Sequence, residues 1–234
     1  MNSAIFYRGP SVIDGDPIVG IISGLKGTSA NRKTGAMAQT WILRADMAPT
    51  EAIRSGADAS ICGDCRHRRD PATGVRTCYV NVGQAPQSVW RTIPNLPQYD
   101  GRTLGYPLRL GAYGDPLAIP LDAWRPLLDA SADVGRTGYT HRWHTIGRAT
   151  PEWRDYVMAS CDTAAESMLA RALGWRTFRV RVRGSAETLE NEILCLSESH
   201  GRSCAQCRLC NGAHPTAPSI RIDAHGASAA RFGR

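Results

Sequence analysis

Eight cysteines lie in this chain, and seven of them fall into two groups whose spacing suits metal binding. The first group is Cys62-Gly-Asp-Cys65, a CxxC turn, with Cys78 following in "TCYVNVG". The second is Cys195 followed by Cys204, Cys207 and Cys210, a CxxCxxC run. A CxxC turn presents two thiolates to one metal, and a zinc site usually pairs two such knuckles across a longer loop. A CxxCxxC run instead wraps three thiolates around a larger object, as in bacterial ferredoxin loops, and takes its fourth ligand from elsewhere. Cys195 is the nearest fourth ligand. The spacing therefore favours an iron–sulfur cluster, [4Fe-4S], with zinc as the alternative.

The first group supplies three cysteines. Either one iron of a cubane there stays open to an exogenous ligand or substrate, or the set is completed by Cys161, His67 or a residue of the second group. His67, in "CRHRR", reads as a solvated loop histidine, and Cys161 stands alone near the end of an expected strand. The segment after Cys195 departs from the ferredoxin pattern, having leucine where a proline normally follows the distant cysteine.

Composition limits what surrounds these ligands. At 234 residues, 42% apolar and 21% charged, the chain has the makeup of a folded globular protein. Its longest apolar stretches, such as "PIVGIISGL" (17–25), fall well short of the ~20 residues that span a bilayer. The amino terminus lacks a basic segment followed by a continuous apolar one, so a cytoplasmic location and no membrane partner are expected. In a reducing compartment cysteines at these spacings serve as metal ligands rather than bridges. The net charge of +7 and pI near 9.2 suit an anionic small molecule or nucleic acid. The arginines, however, are spread along the chain, and no RNP sequence or zinc-finger Cys/His spacing accompanies them. A host protein is a further candidate partner for a basic surface.

The elements that must position these groups alternate. Strands are expected at 17–25, 39–45, 107–114, 137–143, 155–160, 175–182 and 219–226, from their apolar, β-branched and aromatic content. Helices are expected at 162–174, at 86–93 and after Pro120, the last interrupted by Pro126. In the first, Thr163 and Glu166 have capping-box spacing, Gly174 is the stop, and Ala165, Met168, Leu169, Ala172 and Leu173 form the expected buried face. Alternation of this kind predicts an α/β fold with a parallel sheet, a TIM-like (β/α) barrel of fewer than eight units or an incomplete one. One domain spans 1–226, with 227–234 as a fraying tail.

In parallel α/β folds function gathers at the carboxyl ends of the strands. The polar residues ending the expected strands are Asp115, His141, Arg142 and Asp162, which form a candidate catalytic set beside the metal. His141 and Arg142 would move protons or orient an anion. Asp115 before Pro116 also suits a turn, and Asp162 a helix cap. Both cysteine groups are expected at this same end of the sheet.

Several segments carry a resemblance: "NRKTGAMAQTWILRAD" (31–46), "ICGDC…TCYVNVGQAP" (61–86), "LRLGAYGDP" (108–116), "TGYTHRW" (137–143), "YVMASCDTAAE" (156–166) and "GWRTFRV" (174–180). With the terminal CxxCxxC they resemble an uncharacterised family of bacteriophage-encoded cysteine-rich proteins, of the gene product 88 type, over roughly residues 10 to 226. The resemblance implies a phage or prophage origin and an infected bacterial host, and no activity. Radical-SAM enzymes are similar in architecture, pairing a partial barrel with a three-cysteine cluster. Their CxxxCxxC signature differs from the CxxC and distant cysteine here, and no glycine-rich SAM-binding stretch is evident.

Overall fold

One nine-stranded sheet organises the computed structural model, which describes residues 2–27, 31–214, 216–226 and 229–232. Its strands are β1 (Ser3–Pro10), β2 (Pro17–Ser23), β3 (Ala38–Arg44), β4 (Leu108–Tyr113), β5 (Arg136–Thr140), β6 (Met158–Cys161), β7 (Thr177–Arg181), β8 (Glu192–Leu194) and β9 (Ser219–Asp223). The spatial order is β1-β2-β3-β4-β5-β6-β7-β9-β8. The first three strands pair antiparallel, and every pairing from β3 onward is parallel. The α/β class and the mostly parallel sheet are as the alternation predicts.

The sheet is open rather than closed into a barrel. Its edges are β1 and β8, which do not meet. An antiparallel extension occupies one edge and a three-residue strand ends the other, so no pair of full-length parallel strands is left to close the ring. The two strands not expected from sequence are these edges. β1 alternates buried and exposed residues only loosely and ends in Gly-Pro, and β8 is too short to show a period.

The helices are α1 (Pro49–Ser55), α2 (Ala59–Cys62), α3 (Ala85–Thr92), α4 (Leu121–Ala130), α5 (Ile146–Ala149), α6 (Ala164–Ala172), α7 (Leu196–Ser199) and α8 (Cys204–Cys207). Pro126 lies inside α4 without ending it, on the exposed side of a helix that buries Leu121, Trp124, Leu127 and Leu128. In α6 the Thr163 Oγ1 accepts from the Glu166 amide at 3.1 Å, as the cap predicts. The buried face of α6 differs from expectation. Ser167 and Ala170 pack inward, whereas Met168, Leu169 and Leu173 are exposed. Small side chains let the helix approach closely enough for Ser167 Oγ to donate to Thr177 Oγ1 at 3.1 Å.

From β3 to β7 each strand lies beside its successor, so the sheet is wound in one direction without reversal. Successive crossovers of one hand place their helices on a single face. On that face Leu108, Leu110 and Ala159 join the core with Trp124, Leu127 and Trp153. Side chains alternate along strands, so Tyr139, Met158, Phe178 and Ile220 point to the other face. There they pack with Ile193, Cys195, Leu209 and Cys210, so the carboxyl-terminal cysteine segment covers it.

Candidate functional sites at the strand ends and on the sheet face

Three of the four expected polar residues gather at the carboxyl ends of β4, β5 and β6. Asp115, 8% exposed, accepts from Thr140 Oγ1 at 2.8 and 3.0 Å, the Leu117 amide at 3.0 Å and the His141 amide at 2.9 Å. Burial raises this carboxyl despite those bonds and the nearby His141. Its oxygens are thus committed to holding the β5 end, and with it the backbone of His141. Asp162, its side chain 4% exposed, lies 3.6 Å from His141 Nε2 and accepts from or donates to His67 Nε2 at 2.9 Å. Burial alone would raise Asp162, but His141 and His67 outweigh it and hold the carboxyl well below its usual range. Burial would likewise lower His141, yet Cys65 and Asp162 raise it well above the ordinary imidazole value. Arg142 turns toward the CxxC loop and pairs with Asp64.

That pairing ties β5 to the first cysteine group. Gly63, at φ +60°, forms the turn between Cys62 and Cys65, and a Cβ there would meet Arg142 Cδ at 2.8 Å. Burial pushes the Cys62 thiol up, and Cys65 and Cys78 push it further. Cys78 is anchored by its amide, which donates to the His67 carbonyl at 2.9 Å. Three polar atoms beside this group are buried without a hydrogen-bond partner: Tyr113 Oη, His141 Nε2 and Arg142 Nε. The Tyr113 hydroxyl is pushed up by burial and then by Cys62, Asp58 and Cys78.

The second group lies elsewhere. In α8 the amides of Cys204 and Ala205 donate to the carbonyls of Lys33 and Thr34, which precede β3, each at 2.9 Å. Ser203 and Gln206 cap that turn reciprocally, and Arg208, left-handed at φ 53°, redirects the chain toward Cys210. The Cys210 carbonyl accepts from the Gly138 amide of β5 at 2.9 Å, and the Cys195 amide donates to Arg221 of β9 at 2.8 Å. Arg176, just before β7 and 4% exposed, donates to the carbonyls of Leu209 (2.9 Å), Asn211, Ala217 (3.3 Å) and Pro218 (2.7 Å). A Cβ on Gly212 would lie 1.6 Å from the Arg154 carbonyl, so only glycine fits there. The group therefore sits against the sheet face and toward the amino ends of the strands, not beside the first group. The expectation that both share one end is corrected on this point. The CxxCxxC segment follows β8, whose place at the sheet edge the local pattern does not reveal.

The four thiols act on one another electrostatically. Burial raises Cys210 to about 12 against the Tyr139 hydrogen bond, with Cys195, Cys204 and Cys207 contributing. Burial also raises Cys204, which Cys195 and Cys207 reinforce and the cations Arg109 and Lys33 oppose. Arg109 Nη2 in turn donates to Tyr79 Oη at 2.7 Å, so the residue after Cys78 touches the neighbour of Cys204. All eight cysteines are free thiols. Cys161 is buried on the helix-bearing face, apart from both groups, with its Sγ 3.7 Å from the Ala159 carbonyl.

Among the described residues, one set of three His, Cys, Asp or Glu donor atoms lies within 4.8 Å of one another: His67, His141 and Asp162. His67 is therefore not the solvated loop histidine expected, its side chain being 14% exposed and engaged at both nitrogens. The signal was its place two residues beyond Cys65. Sequence gave no signal for Tyr113 or Tyr79. The expected tail also has a contact: the Phe232 ring stacks on His67 at 5.2 Å, while 227–228 and 233–234 lie outside the described residues. Among the described residues no helix is long and apolar enough to cross a membrane.

No protein-family model, curated protein or solved structure matches the chain.

Proposed function

We propose that this chain is an iron–sulfur protein. Cys195, Cys204, Cys207 and Cys210 would hold a [4Fe-4S] cluster, and Cys62, Cys65 and Cys78 a second one with an iron open to an anionic substrate. The observation that carries this reading is the CxxCxxC run with Cys195 beside it: Cys195 and Cys210 pack on one apolar face with Met158 and Ile220, and three cysteines from one such run with a fourth from elsewhere suit a cubane.

The surroundings fit the same groups. Met158, Ile220 and Phe178 supply an apolar wall at the four-cysteine group, and Arg109 and Lys33 supply positive charge for an anionic thiolate-ligated cluster. At the three-cysteine group the unpartnered Tyr113 Oη and Arg142 Nε lack the partner that buried polar atoms normally have. A cluster bound there would supply electron transfer or a Lewis-acidic iron. Arg66, 57% exposed beside Asp162, would meet an anion. The finer fold expectation, an incomplete (β/α) barrel, is supported by the one-directional strand order.

Anaerobic purification followed by visible absorption and iron, sulfide and zinc analysis tests the proposal. A brown protein with iron and sulfide in equal amounts is expected. A colourless protein with stoichiometric zinc and no sulfide would overturn it. That outcome would favour a second reading, prompted by the net charge of +7: a zinc-stabilised basic protein binding nucleic acid or a host protein. Steeply salt-dependent binding to nucleic acid would support this alternative.

A further inference from the structure

We infer that His67 Nε2, His141 Nε2 and the Asp162 carboxylate form a mononuclear site for a divalent first-row metal ion, separate from the cysteine ligands. Two imidazoles and one carboxylate on one side of an ion, with the other positions open, is the arrangement that suits non-haem iron(II) and related cations. The three donor atoms lie within 4.8 Å of one another, with Asp162 Oδ1 at 2.9 Å from His67 and Oδ2 at 3.6 Å from His141. They arrive on three separate elements: the loop after α2, the end of β5 and the end of β6.

The second observation is the state of His141. Its Nε2 is buried with no hydrogen-bond partner, since 3.6 Å to Asp162 exceeds hydrogen-bond reach. An ion between the three groups would supply the missing partner. The surrounding shell is also in place. His67 Nδ1 contacts Thr77 Oγ1 at 2.8 Å, which orients the ring and fixes which nitrogen faces the site. The His141 backbone is held through its amide by Asp115 at 2.9 Å. Arg66, whose Nη2 donates to Glu166 Oε1 at 2.9 Å, keeps its Nε 3.5 Å from Asp162 Oδ2 on the exposed side of the site.

This inference does not rest on the cluster reading, and its test keeps the two apart. Manganese(II) prefers carboxylate, imidazole and water to thiolate, so it reports on this site rather than on the cysteines. Anaerobically purified protein, dialysed against a chelator, is titrated with manganese(II), and the electron paramagnetic resonance signal of the free ion gives the bound fraction. One manganese per chain is expected, with affinity falling at least about tenfold in Asp162→Asn and in His67→Gln and unchanged in Cys207→Ser. His67→Gln, at a partly exposed position, keeps the test decisive if Asp162→Asn does not fold. Absence of a one-equivalent site in the wild type overturns the inference. So does equal binding by the folded variants, or loss of binding in Cys207→Ser alone.

Discussion

The two cysteine groups occupy contrasting ground. The first sits at the carboxyl ends of the strands among His67, His141, Asp162 and Tyr113, with polar atoms left unpartnered. The second is pressed on the sheet face by apolar side chains and clasped through backbone carbonyls by Arg176. One environment is rich in titratable groups, and the other is held by backbone hydrogen bonds and apolar packing. On the iron–sulfur proposal, the first would suit chemistry on a ligand and the second a closed centre.

The sharpest way to break this contrast is to remove thiols one group at a time. Cys207→Ser and Cys62→Ser should each lose about half of the iron and sulfide, and the double variant nearly all of it, as metal analysis would record. Loss of all iron from either single variant would mean one shared centre.

Next in size comes Glu192→Gln, on β8 just before Cys195. Glu192 and Arg179 form a buried bidentate pair at 2.9 and 2.7 Å, each side chain 1% exposed. Breaking such a pair costs about 3–5 kcal/mol, to be read as a lower urea midpoint. Burial would raise Glu192, but Arg179 overcomes it and holds the carboxyl below its usual value. Its stabilisation is therefore present above the unfolded value of about 4.3 and lost as pH falls through the lower folded one. The second group should loosen in acid accordingly, and the variant should show a flatter profile. An unchanged acid limb in Glu192→Gln would refute this.

Arg176→Ala removes a donor from four carbonyls, of which Leu209's still accepts from the Asn211 amide, at a cost on the order of 3 kcal/mol. It should weaken iron retention in the second group while Cys62, Cys65 and Cys78 keep theirs. The smallest effect belongs to Tyr113→Phe. Removing a buried, unpartnered hydroxyl should leave the metal-free protein's stability within about 1 kcal/mol. It should still alter the spectrum or potential of a group bound at Cys62, Cys65 and Cys78. A large loss of stability would show that the hydroxyl has a partner after all.

Much of this was legible before the structure. Seven strands, α3, α4 and α6 follow from periodicity and caps, and the strand-end rule picks out Asp115, His141 and Asp162 as neighbours. The misses have physical causes. Edge strands carry weak patterns, which hid β1 and β8. The inward face of α6 is made of Ser167 and Ala170, small residues that a search for large apolar side chains passes over. His67 looked solvated because its partners, Thr77 and Asp162, are brought to it only by tertiary structure. The placing of Cys204, Cys207 and Cys210 depends on carbonyls of Lys33 and Thr34, far away in sequence.

The one-directional winding of the sheet leads to a consequence for biosynthesis. Chains emerge from the ribosome amino end first, and their parts begin to fold in that order. Tyr139, Met158 and Phe178 are all made before the segment that shields them, which runs from Ile193 to Cys210. A nascent chain therefore presents a bare apolar sheet face until residues 193–210 arrive. On the iron–sulfur proposal, provision of iron and sulfide during translation, or a chaperone bridging that interval, should decide how much of the protein reaches its folded form.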